Sequence, residues 1–151
     1  MLMNDVNPPL LTSSLAFRLG TVGAVVTTRF TELVEGRGLK PKHLGLLATL
    51  SAGAASSQLE LARVMGVAPS LVVSLADQLE GMGALQRVRD PADRRRQALV
   101  LTDAGRALLA ECAALAHGLD DELTASLAPA EREALGRALG VLAREAGLPV
   151  E

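Results

Sequence analysis

Ten consecutive positions, Arg87 to Arg96, carry five of the chain's 15 basic side chains, and apolar runs flank them at residues 85–88 and 98–101. Asp90, Pro91 and Asp93 give the stretch its turn chemistry: a short carboxylate accepts from backbone N–H groups just ahead of it, and proline fixes φ. Two apolar runs joined in this way read as an antiparallel hairpin with a cationic tip. A guanidinium cluster on a protruding β-loop suits the phosphate oxygens that line a groove. No other sheet is legible in the sequence, so this hairpin must lean on helices.

Helical spacing accounts for the rest of the chain. After a frayed start at residues 1–11, which includes Pro8 and Pro9, Thr12, Ser13 and Ser14 offer N-caps to a long helix. Its apolar residues Leu15, Leu19, Val22, Val26, Phe30 and Leu33 recur at intervals of three or four, and it ends near Gly36. Pro41 suits the first turn of a second helix bearing Leu44, Leu47 and Leu50, followed by a small-residue linker over 51–55. Ser57 and Glu60 have the spacing of a capping box, predicting a short helix to Met65 that Gly66 stops. Pro69 then opens a helix whose inward stripe is Val72, Leu75, Ala76 and Leu79, ended by Gly81 and Gly83. Two short helices around a tight glycine turn follow the helix-turn-helix plan, and the hairpin directly after them makes it a winged one.

Thr102 caps a further long helix, with Leu108, Cys112, Leu115, Leu119, Leu123 and Leu127 in its stripe. Pro129 begins a last helix bearing Leu135, Leu139 and Leu142 and ended at Gly147. Only Phe17 and Phe30 are aromatic, so the core must be aliphatic. The expected fold is mainly α with a small β-hairpin wing: a winged helix-turn-helix with N- and C-terminal dimerisation helices. Residues 1–151 form one domain, in which 12–36 and 103–147 are the dimerisation helices and 39–102 the winged lobe. Apolar faces at both ends of the chain imply a partner surface, supplied by a second copy.

The order Asp-Pro-x-Asp-Arg-Arg at residues 90–95, followed by Leu-Thr-x-x-Gly at 101–105, resembles the wing of the MarR (multiple antibiotic resistance regulator) family of transcription factors. The resemblance extends over nearly the whole chain. It implies a homodimer that binds a pseudo-palindromic operator in double-stranded DNA, usually as a repressor. It also implies release by a small, often phenolic or lipophilic ligand that changes the spacing of the two lobes. The Asp-x-Arg element falls on Asp93 and Arg95, with Arg94 between them. In similar proteins the wing arginine enters a minor groove while the aspartate orients it, which is sound physics where a narrow groove concentrates negative potential.

On the second helix of the lobe the outward positions are Ser70, Val73, Ser74, Asp77 and Gln78, and no Lys or Arg occurs from Val64 through Gln86. Gln78 suits adenine, Ser70 and Ser74 suit phosphates or base edges, and Val73 suits a thymine methyl. Related proteins commonly carry arginines at the positions of Ser74 and Gln78, so this helix departs from their pattern. Arg87 and Arg89 alternate along one strand and share a face, where they meet either DNA backbone or Asp90 and nearby acids. Lys40 and Lys42 read as plain surface, and His43 as a surface or satisfied helix-start histidine near the effector pocket of similar proteins. Arg18 and Arg29 share one helical face, open to an anionic effector or to salt bridges with Glu32 or a partner subunit. No effector residue is assigned.

The net charge of −2 conceals an asymmetry: residues 87–106 hold six Arg against three Asp, and residues 107–151 three Arg against eight acids. Cys112 is the single cysteine and lies on an apolar stripe, the position of a buried structural thiol, so no internal disulfide or cysteine metal cluster is expected. Hydroperoxide-sensing members of the family carry their cysteine in the first helix, and residues 12–36 hold none. His43 and His117 are too few and too scattered for a zinc site. No nucleophile elbow or phosphate-cradling glycine loop is present, so neither enzymatic activity nor a cofactor is expected. With no membrane-spanning stretch and no signal pattern, a cytoplasmic location is expected. The competing reading is a degenerate winged-helix protein that works mainly through protein contacts and binds DNA weakly.

Overall fold

The computed structural model describes residues 8–148, arranged as six α-helices and one two-stranded hairpin. A short 3-10 turn at Leu11–Ser13 precedes α1 (Leu15–Glu35), α2 (Pro41–Ser51), α3 (Gln58–Met65) and α4 (Pro69–Gly81). Strands β1 (Leu85–Arg89) and β2 (Gln97–Leu101) follow, then α5 (Asp103–Leu123) and α6 (Pro129–Glu145). The expected mainly α fold with a β-hairpin wing is the observed one. Of the frayed start expected at residues 1–11, positions 1–7 lie outside the described residues.

Each helix of the lobe begins and ends for a local reason. The Ser57 hydroxyl accepts from the Glu60 N–H at 3.2 Å and opens α3. The reciprocal half of the expected capping box is displaced by one residue, since the Glu60 carboxylate accepts from the Ser56 N–H instead, at 3.3 Å. Gly66 closes α3 with φ of 64°, a left-handed conformation that a side chain would strain, and Val67 N–H bonds back to the Ala62 carbonyl. The chain then turns 112° into α4, within the range of a helix-turn-helix.

The hairpin is antiparallel, with Leu85 opposite Leu101 and Arg89 opposite Gln97. Its free edge is anchored where Leu99 N–H donates to the Ser56 carbonyl at 2.8 Å, which ties the wing base to the start of α3. At the other end Thr102 both caps and clamps. Its Oγ1 accepts from Gly105 N–H at 3.0 Å and donates to the Gly83 carbonyl at 2.5 Å. A Cβ on Gly105 would come within 1.8 Å of the Ala84 carbonyl oxygen, so the glycine of the Leu-Thr-x-x-Gly element is what lets α5 start flush against β1.

The long helix is shorter than its leucine spacing predicts. α5 stops at Leu123, and Pro129 holds Ala128 in extended conformation, so Leu127 falls in the connecting turn. Ser51, expected in the linker, instead completes α2.

One core joins α2, α3, α4, the hairpin base and the first half of α5. Leu46, Leu47, Leu61, Val72, Leu79 and Leu85 are wholly or almost wholly enclosed there. Fully burying an aliphatic side chain is worth about 1.5–3 kcal/mol, so the lobe holds its own fold together. The terminal helices differ. Only Val34 of α1 is buried, and no residue of α6 is. Among the described residues no single helix is long and apolar enough to cross a membrane, and the apolar residues of the bent pair α3 and α4 serve the core.

Candidate nucleic-acid interface

The hairpin tip is built by its own aspartates. The Asp90 carboxylate accepts from Ala92 N–H at 2.8 Å, and Asp93 from Arg95 N–H at 3.0 Å. Arg96 N–H closes on the Asp93 carbonyl, and Asp90 N–H on the Arg96 carbonyl. This rigid turn projects Arg94, Arg95 and Arg96 into solvent, with Arg89 exposed at its base. Asp93 therefore does not orient the Arg95 guanidinium as the family pattern implies. Its carboxylate holds the Arg95 backbone, and its nearest cationic partner is Arg96 Nε, at 3.9 Å. Among the described residues the guanidinium groups of Arg94 and Arg95 have no ion pair.

Arg87 and Arg89 divide along their strand. Arg87 turns onto α4, meeting Asp77 at 2.5 Å, Glu80 at 3.3 Å and the Gln58 side chain at 3.3 Å, with its side chain only 18% exposed. Of the DNA backbone, Asp90 and the nearby acids that its position allows, its partners in the structure are two nearby acids, Asp77 and Glu80. The pairing has an electrostatic consequence: one cation from the wing is shared by two carboxylates on the helix beside it and offsets half of their charge. A bare Asp77 and Glu80 would repel a phosphate backbone.

The α4 helix buries Val72, Leu75, Ala76 and Leu79, as its spacing predicts, and exposes Ser70, Val73, Ser74, Asp77 and Gln78. Gln78 is not free. Its Oε1 lies 2.7 Å from His43 Nε2, and its Nε2 lies 3.4 Å from the Ser74 hydroxyl. His43, at 2% exposure, also accepts from the Lys40 N–H at 2.9 Å and so caps α2. Of the surface and the satisfied helix-start histidine that its position allows, it is the satisfied one, with a bond to α4 that the linear pattern does not announce.

Sequence reasoning missed Arg63. It lies at the end of α3 and faces Arg95 and Arg96 across a cleft of about 520 Å³ that Ser57, Gln58 and Gln97 also line. No motif links position 63 to the wing; only the bend between α3 and α4 and the Ser56 to Leu99 anchor bring the three guanidinium groups together.

A second pocket, of about 590 Å³, opens between α1, α2 and α4, and its lining includes Thr31, Lys40, His43, Leu71, Leu75 and Gln78. The remaining singled-out side chains serve packing. Arg18 donates to the Thr12 carbonyl at 2.8 Å, and Arg29 pairs with Glu122 of α5 at 2.8 Å, an acid outside the alternatives that its position on the helix suggests. Arg37 pairs with Glu111, which raises its already high pKa. Cys112 is buried, and burial pushes its thiol above the ordinary range while the nearby Arg37 guanidinium pulls it partly back.

Comparison with known proteins gives a consistent picture. The sequence profile of the MarR family matches residues 39–96, most of the winged lobe. A putative transcriptional regulatory protein for the hcr operon of Thauera aromatica is 35% identical over 71% of this chain. The match spans 63% of that relative, a little under two thirds of its length. The HTH-type transcriptional repressor Mb2911 of Mycobacterium bovis is 32% identical over 79% of this chain and 86% of its own. The crystal structure of the transcriptional repressor CouR bound to a 23-mer DNA duplex superposes with a TM-score of 0.73 at 34% identity, covering 88% of this chain and 94% of CouR.

Proposed function

The chain belongs to the MarR family, and from that premise we propose that it is a homodimeric, sequence-specific DNA-binding regulator, a repressor relieved by a small lipophilic or phenolic ligand. The observation that carries this reading is the wing. A backbone-braced turn holds Arg94 and Arg95 in solvent without ion pairs among the described residues, beside an α4 whose acids Asp77 and Glu80 are partly offset by Arg87. Each wing enters a minor groove while α4 lies in the adjacent major groove, and Arg89 and Arg63 meet phosphates. Ser70, Val73, Ser74 and Gln78 are the residues placed against base edges and backbone.

Pairing follows from the terminal helices. Leu15, Leu19, Val22 and Val25 form an exposed stripe on α1, as do Leu135, Leu139 and Leu142 on α6. Stripes of this kind at helical spacing mark an interaction surface, and a two-fold partner covers both at once. Residues 12–36 and 103–147 are the dimerisation elements in this reading, and 39–102 the lobe each subunit presents. Two-fold symmetry then demands a pseudo-palindromic operator with half-sites about one turn, roughly 10 bp, apart. The pocket between α1, α2 and α4 is the site for the ligand, its size suited to a small molecule. Such a ligand must prefer one lobe spacing over the other, since equal affinity for both would shift nothing.

One observation favours the competing reading of weak DNA binding and protein contacts: the outward face of α4 carries no cation. Salt titration of duplex binding separates the two. A regulator loses affinity steeply with salt, about 0.9 in log–log slope per neutralised phosphate. Replacing Arg94 and Arg95 by Ala removes four guanidinium groups from the dimer and is expected to flatten that slope by about 3.6. An unchanged slope removes the wing from the mechanism, and a wild-type protein whose binding ignores salt removes DNA.

A further inference from the structure

The hydrogen bond between α2 and α4 fixes more than packing. His43 Nδ1 accepts from the Lys40 backbone N–H, a donor whose direction the chain itself sets. With Nδ1 so engaged, the ring proton sits on Nε2. The atom 2.7 Å from Nε2 must then be an acceptor, which places Gln78 Oε1 inward, against His43. The Gln78 amide nitrogen is left on the outer side, where one of its two hydrogens points toward Ser74 Oγ at 3.4 Å. A backbone N–H at the start of α2 thus dictates, through one imidazole, which end of an exposed amide α4 presents.

We propose that His43 is a specificity-setting positioning residue: it turns the Gln78 amide so that α4 reads base edges as a hydrogen-bond donor. The inference rests on the reading of α4 as the element that enters the major groove. A free glutamine recognises adenine by using both ends of its amide, accepting from N6 and donating to N7. With its oxygen held by His43, Gln78 loses the accepting half of that pair. What remains is one free N–H, which suits the O6 acceptor of guanine and finds no acceptor where adenine presents its N6 donor. The base preference at this position is therefore guanine over adenine, the reverse of what glutamine alone would select.

Selection of bound duplexes from a pool randomised over the operator, with sequencing of the retained DNA, tests this directly for the wild type, His43→Asn and Gln78→Glu. Asparagine places an acceptor where Nδ1 stands, so it keeps the bond to the Lys40 N–H, but it has no atom that reaches Gln78. His43→Asn is expected to shift one position per half-site from guanine toward adenine by on the order of tenfold, with the remaining positions unchanged. Gln78→Glu keeps the acceptor for His43 and removes the outward donor, so it is expected to abolish the guanine preference at that same position even if His43→Asn folds poorly. An unchanged profile in His43→Asn, alongside an altered one in Gln78→Glu, would leave Gln78 as a reader and overturn the role of His43. A profile unchanged in both would overturn the inference at Gln78 itself. A wild type that retains no duplex would instead sink the regulator reading on which this rests.

Discussion

The winged lobe and the terminal helices share one aliphatic alphabet and put it to opposite uses. In the lobe, α2, α3, α4 and the hairpin base turn most of their leucines and valines inward onto a common core, and apart from a few apolar side chains such as Leu59 and Val73 the exposed remainder is mostly polar or small. In α1 and α6 the same residue types, at the same helical spacing, face outward: Leu15 is 84% exposed, and α6 buries nothing. Periodicity alone does not distinguish the two, because a stripe says only that a helix needs a neighbour. Whether that neighbour belongs to the same chain is decided by topology. The elements from α2 to β2 pack on one another around that core, whereas α1 adds one buried residue to it, Val34, and α6 adds none.

The sharpest way to break this contrast is Gly105→Ala. The added Cβ meets backbone, not a movable side chain, so α5 must leave the hairpin. A loss of about 4–5 kcal/mol, the upper end for a single substitution, is expected in denaturant unfolding. A near-neutral variant would mean that the lobe is less tightly determined than its core implies. Next, Leu139→Lys combined with Leu142→Lys adds two charges to the exposed stripe of α6. The expected outcome by light scattering is a single chain, with the far-ultraviolet signal of the folded lobe retained. Loss of all structure would show that the lobe depends on pairing.

The smallest effect concerns Cys112, at the seam between the two regions. Its raised pKa means that the folded state favours the neutral thiol. Alkylation at neutral pH is therefore expected to be slow in the folded protein and fast in denaturant. For an acid whose pKa is raised by folding, the stability contribution is whole below the unfolded value and falls as pH climbs toward the folded one. Unfolding midpoints should thus decline as pH rises through about 8.5 and beyond. Rapid alkylation of the folded protein would contradict the burial.

Much of the fold was legible because its signals are local. Ser57, Gly66, Pro69 and Thr102 announce helix ends through capping and φ restriction, and Asp90 and Asp93 announce the turn they build. The failures are non-local or depend on a competing local constraint. Leu127 continues the leucine rhythm of α5, but α5 stops at Leu123, and Pro129, which holds Ala128 extended, keeps a helix from running through it. Arg87 looks like a cation for DNA until β1 is set beside α4, where two carboxylates wait. The strand pattern correctly gave the face but could not say which acids lay opposite. The His43 to Gln78 bond spans 35 residues and joins two side chains that no motif connects. Arg63 is hidden for the same reason. At the candidate site, the wing was readable from sequence, whereas the polar network behind α4 exists only once the helices cross.

The claim that two lobes grip one duplex is tested most directly by sedimentation equilibrium of the protein with a labelled palindromic duplex drawn from its own upstream region. The account predicts a complex whose protein mass is twice the 15.7 kDa of one chain, on a single duplex, with the free protein also at twice that mass. A single chain on the duplex, or a protein that stays monomeric and sediments apart from the DNA, would contradict it.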